Sequence, residues 1–255
     1  MKLKLIIIAL LLLINLVIAL DFDGSNWDEL SDDEKNTILE SLGIKGGVDE
    51  IKYNRGRITG NKFISESSRG SLTIDYISDE KRDLVLKNLG EDSEIELKDG
   101  EIKKATINPR SSGEYEINGV KISGSSERFV IESRESFVSV EGEELEFEIT
   151  RGGEYRVNGV SLGLVKGIKI EIDETINIKS DDETEIKIGE DTYKIKEGNI
   201  LLSDGKIIGG KFTGNGEVII RRVKLLLSQV GVEIGDNILL RIAKPGELKI
   251  NDLLF

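Results

Sequence analysis

A mainly β chain, built from similar short units after a small helical start, is what the sequence of 255 residues predicts. Three observations carry this. Two decapeptides, Gly113-Glu-Tyr-Glu-Ile-Asn-Gly-Val-Lys-Ile122 and Gly153-Glu-Tyr-Arg-Val-Asn-Gly-Val-Ser-Leu162, are identical at six of ten positions. Each alternates apolar side chains on either side of an Asn-Gly turn, the strongest short signal for strand reversal. Turn signals then recur through Gly100, Gly119, Gly142, Gly159, the Ser180-Asp181-Asp182 turn, Gly198, Gly216 and Gly235, a period near twenty. Finally, aromatics make up only 5% and proline occurs twice, whereas Ile, Leu and Val are plentiful, a palette that fills thin β layers.

Composition also removes chemistry. The chain contains no histidine and no cysteine. The commonest general base, the Ser-His and Cys-His nucleophile pairs, thiolate metal sites and disulfides are therefore excluded. No cofactor and no metal is expected. Acids outnumber bases, 48 to 35, for a net charge of −13. A nucleic-acid partner is not expected, because phosphate binding needs a basic footprint.

The elements follow in order. Residues 1–19 have the form of an export signal: Lys2 and Lys4 precede an apolar run from Leu5 broken only by Asn15, and Val17 and Ala19 offer small residues for cleavage. An uncleaved anchor is the alternative, and membrane contact is expected only through this segment. Residues 20–92 are expected to form a helical cap and the strands that lead into the array. The acidic stretch from Asp21 to Asp28 does not fit a calcium loop, since the position five before Gly24 is Ala19. Ser31 and Glu34 form a capping box, Ile38, Leu39 and Leu42 share one helical stripe, and Gly43 ends it. Ile58, Phe63 and the run Leu72–Ile77 read as strands. The stretch from Ser78 to Leu89 fits either a second helix or a strand through Leu84 and Leu86.

Residues 93–255 are expected to be the β-repeat array, with coils of about twenty residues, and two architectures fit. In an antiparallel meander, Ile117 opposes Val120 and Tyr115 opposes Ile122 across the Asn-Gly turn. In a β-solenoid, each coil has short sides meeting at corners. Gly198, Gly205, Gly210 and Gly216 lie 7, 5 and 6 residues apart, which favours the solenoid. On these turns and alternating aliphatics the chain resembles the parallel β-helix and β-solenoid proteins of prokaryotic cell surfaces. That resemblance implies a stiff rod and includes adhesins, surface-layer components and polysaccharide-cleaving enzymes.

An exported, non-enzymatic structural or adhesion module is the expected function, with a surface glycan or another surface protein as partner. Trp27, Tyr53 and Tyr76 are the candidate ligand contacts, although Trp27 also suits packing of the helix. Tyr115 and Tyr155 share parity with Ile117 and Val157 and are expected inside. The alternative is a polysaccharide hydrolase or lyase on the same scaffold. Its histidine motif cannot exist here. Glu141, Glu143 and Glu144 read as a wet strand end rather than a catalytic pair, and Arg110, Arg128 and Arg151 lack an evident carboxylate cluster. A concave row of carboxylates would favour the enzyme; evenly mixed charge would favour the module. Arg221, Arg222 and Lys224 form the densest basic spot in the sequence.

Overall fold

The computed structural model describes residues 27–44, 48–77, 83–109, 113–125, 127–220, 223–234, 238–242, 248–250 and 253–254. The expected export signal lies outside the described residues, as do Asp21, Arg110, Arg221 and Arg222.

The described residues begin with a single 3-10 turn, Trp27–Glu29, and helix α1, Asp32–Ser41. Both arms of the capping box are made: the Glu34 amide donates to the Ser31 hydroxyl, and the Ser31 amide donates to the Glu34 carboxylate at 2.9 Å. This satisfies two of the backbone groups that a helix start leaves without partners. Ile38 and Leu42 turn inward, and Gly43 follows with φ +65°. Trp27 is buried beneath the helix, with the Lys35 ammonium 5.7 Å above its ring.

Three sheets take up the rest. The first is antiparallel, with Gly70–Tyr76 between Val48–Asn54 and Leu84–Leu89. Of the two readings of the stretch before Leu89, its described part is a strand: Leu86 opposes Leu72, Leu84 opposes Ile74, and Leu86 is buried. The other sheets have eight and twelve strands. From Glu94 onward the chain deals its hairpins between them in alternation. Glu94–Lys98 with Glu101–Ile107 lies in the eight-stranded sheet, and Gly113–Ile117 with Val120–Ser125 in the twelve-stranded one. Phe129–Ser133 with Val138–Gly142 returns to the first of these, the single strand Leu145–Ile149 to the second, and Gly153–Val157 with Val160–Val165 to the first again. Ile168–Ile172 with Ile176–Ser180 joins the twelve-stranded sheet.

This layout corrects the predicted solenoid. The sheets are antiparallel or mixed, and none forms a solenoid or a closed barrel. Within the eight-stranded sheet the pairing of 138–140 with 155–157 is parallel; its other named pairs are antiparallel. The reason is local. Asp99-Gly100, Asn118-Gly119, Asn158-Gly159 and Asp204-Gly205 each have positive φ at both residues. That geometry reverses a strand onto itself, whereas a coil corner carries it away to another face. Ile117 accordingly pairs with Val120 and Tyr115 with Ile122. The period near twenty is one hairpin plus one crossing, and the twin decapeptides lie in different sheets.

The supposed corners Gly198, Gly210 and Gly216 also lie inside strands, Asp191–Ser203 and Lys206–Ile220. They are not corners. A Cβ on Gly198 would lie 2.2 Å from the Lys211 carbonyl oxygen, and one on Gly210 would lie 2.3 Å from that of Asn199. Here glycine serves the close approach of two strands, and only Gly205 among the four marks a turn. With Val223–Ile234 and Ile238–Arg241, these long strands extend the twelve-stranded sheet toward the C-terminus.

Burial alternates along most strands, as in Gly113–Ile117 and Leu145–Ile149, so each has one dry and one wet face. Glu146 and Glu148 lie on the wet face, as do Lys169 and Glu171, whereas Ile168, Ile170 and Ile172 are buried. The dry faces join in one apolar cluster reaching from Trp27 to Leu248. Tyr115 and Phe129, from different sheets, meet edge to face at 5.6 Å. Each fully buried aliphatic side chain in this core contributes about 1.5–3 kcal/mol.

Candidate functional site: a groove along the hairpin ends

Where the hairpin ends come together, three tyrosines fasten to backbone carbonyls of other units. Tyr76 Oη donates to the Gly100 carbonyl and Tyr115 Oη to that of Asn88, 3.1 Å away. Tyr155 Oη donates to the Arg151 carbonyl at 2.8 Å, with the Asn118 carbonyl 3.4 Å away. Tyr115 and Tyr155 are 1% and 2% exposed, the inward placement that their parity predicts. Burial raises all three phenols above the usual tyrosine value. Burial and the Glu101 carboxylate take Tyr76 to about 12. These hydroxyls therefore remain protonated donors at ordinary pH, and they pin the turns rather than move protons.

The pinned turns, with the loop between Ser133 and Val138 and the segment Thr150–Gly153, border a groove of about 1260 Å³. Its lining carries both signs of charge: Asp83, Glu101, Glu114, Glu116 and Glu154 with Lys121, Arg134, Arg151 and Lys166. Phe137 faces the groove half-buried, held by the Arg156 guanidinium 4.0 Å from its ring centre and by Arg134 at 5.6 Å. Arg134 is in turn fixed by Glu132 at 3.2 Å. Cation–π contacts of this kind stiffen an aromatic that would otherwise swing freely.

Of the predicted ligand contacts, Tyr76 stands in the groove wall, half-buried. Trp27 and Tyr53 are 3% and 6% exposed and pack into the core, Tyr53 at 5.8 Å from Phe63. The groove does not bring the three together. Arg151 lines it, while Arg128 is exposed just before Phe129. Phe137, Arg134 and Arg156 were not singled out from sequence. Arg156 reaches Phe137 through the parallel pairing of 138–140 with 155–157, a contact between distant segments that carries no local signal.

A further group of carboxylates lies on the first sheet, where Glu50 is opposite Asp75 and Asp83, which also lines the groove, is close by. Burial, then the charges of Asp83 and Glu50, raise the Asp75 carboxyl above its usual value; Lys52 opposes this. Among the described residues, no group of three or more Asp or Glu side chains is arranged to hold a metal ion. Nor, among them, is any helix long and apolar enough to cross a membrane. No family model, curated protein or solved structure matches this chain. The groove is therefore read from its own geometry, which suits an extended polar chain held by hydrogen bonds and paired charges.

Proposed function

We propose that this protein is an exported, non-catalytic surface module that works by adhesion, holding a glycan strand in the groove. The observation that carries the reading is the mixed charge of the lining, five carboxylates with four cationic side chains. A hydrolase or lyase needs carboxylates concentrated in a concavity, whereas acids and bases together in one groove supply hydrogen-bond partners to a polar chain. The size supports an extended ligand, since sites for small molecules usually occupy about 300–1,000 Å³. Phe137, with its ring held by two guanidinium groups, is the stacking surface, and Tyr76 supports the adjoining turn. The apolar run behind Lys2 and Lys4 supports export.

The test is incubation of the purified chain with insoluble envelope and plant-type polysaccharides, following both co-sedimentation and soluble sugar release. Sedimentation without fragments is expected. Substituting Phe137→Ala together with Arg151→Glu is expected to weaken it roughly tenfold, about 1.4 kcal/mol. Fragment release would make the protein an enzyme, and retention in solution with every glycan would remove the adhesion reading.

A further inference from the structure

A second face, remote in sequence from the groove's lining, collects cations on this acidic chain. Four neighbouring strands of the twelve-stranded sheet are in register here: Lys194 opposes Thr213, Thr213 opposes Gly231, and Gly231 opposes Arg241. Lys194 and Arg241 thus end a row about 14 Å wide, three strand spacings. Both are exposed and long, while Thr213 and Gly231 between them are short, so the row is high at its ends and low in the middle. The next row places Lys211 opposite Glu233 and Glu233 opposite Leu239. Lys196 adds a fourth cation from the irregular stretch where the register slips between Lys194 and Asn199. Together these residues enclose a pocket of about 160 Å³ floored by Phe212 and Val232.

The lining itself is mainly cationic, although Glu185 stands opposite Lys194 on the side away from the trough. Lys194, Lys196, Lys211 and Arg241 face a single acid of the lining, Glu233, on a chain whose net charge is −13. Lys194 also reaches Glu183 at 3.6 Å, and the Lys211 ammonium donates to the Glu197 carbonyl at 3.3 Å. Like charges crowded on one sheet face repel, and a bound anion would relieve that repulsion. A guanidinium and ammonium groups around one small trough are suited to a carboxylate. Leu239, 50% exposed on the rim, offers an aliphatic surface to the C–H side of a ring.

We propose that this trough is a site for one uronate unit of an acidic polysaccharide, separate from the groove and not dependent on the reading given to it. The strands carrying Lys194, Thr213 and Gly231 are hydrogen-bonded on both sides, so their backbone groups are occupied. Over the floor of the trough an acidic peptide would therefore meet side chains alone; of the four strands, Ile238–Arg241 has one described strand neighbour, and a strand added at its other side would lie beside the trough rather than in it.

Binding of polygalacturonate to the full chain tests this, with uncharged dextran and poly-Glu as comparison probes and monomeric galacturonate to separate a free sugar acid from the polymer. Saturable, salt-weakened binding of polygalacturonate is expected, reduced tenfold or more by Lys196→Glu with Arg241→Glu and unchanged by Lys87→Glu, at an exposed position in neither lining. Both substituted positions are exposed, and an unchanged thermal midpoint would show that the fold is kept. Absence of salt-sensitive binding, or equal affinity in the double variant, would overturn the proposal. Poly-Glu bound as tightly as the polyuronate would overturn it in favour of a peptide, and monomer bound as tightly as polymer would overturn its polysaccharide part.

Discussion

Gly119 and Gly159 close the twin Asn-Gly turns, with φ of +79° and +80°, yet their surroundings differ. A Cβ on Gly159 would meet nothing within 4 Å, whereas one on Gly119 would lie 2.4 Å from Arg151 Cβ and 2.9 Å from Tyr155 Oη. Alanine at 159 should cost about 1–2 kcal/mol, the penalty of the left-handed region. At 119 it should cost about 1–3 kcal/mol more through overpacking, as equilibrium urea unfolding would measure. Asp75 supplies a pH-dependent residue. Its folded carboxyl binds a proton more readily than the unfolded one, so its ionisation opposes folding and stability falls as pH rises through the folded value. Asp75→Asn should therefore raise the melting temperature at pH 7, and the gain should shrink as acidification protonates Asp75 in the parent protein. A gain that is constant with pH would rule this account out.

At the level of elements, short-range chemistry was readable wherever a side chain meets its own neighbours. The capping box of α1 is such a case, and Ser31→Ala should cost about 1 kcal/mol in thermal or urea unfolding. The Asn-Gly and Asp-Gly turns were located in the same way, but the glycine spacing favoured coil corners over the hairpins that they form. Glycines at 198, 210 and 216 were misread as corners because a glycine spacing does not tell a turning chain from one pressed against a neighbour. Lys211 and Asn199, whose carbonyls crowd Gly198 and Gly210, lie 13 and 11 residues away. Gly210→Ala should consequently destabilise more than Gly159→Ala, since its Cβ meets backbone that cannot swing aside. Candidate contacts divided the same way. The inward parity of Tyr115 and Tyr155 was legible, while Phe137 between Arg134 and Arg156 was hidden in a non-local pairing.

For the whole molecule, alternation of hairpins between two sheets ties the chain together differently from stacked coils. A solenoid contacts only adjacent repeats and can lose them in sequence. Here one apolar cluster includes both Trp27 at one end and Leu248 near the other. Unfolding should therefore be a single transition, in which fluorescence of Trp27, the only tryptophan, coincides with far-UV circular dichroism. Separate midpoints would show that the N-terminal helix and first sheet melt apart from the rest.

The sequence by itself determined the β class, the capped helix, the places of the turns, the inward tyrosines and the absence of histidine and thiol chemistry, because each depends on residues close along the chain or on composition. Only the tertiary structure decided which sheet receives each hairpin, that strands pair across sheets of eight and twelve rather than coil, and which charges meet around the groove and the basic trough. Those choices depend on burying the dry faces of all the hairpins together. The same alternating pattern offers that face equally to a coil above it or to a sheet opposite.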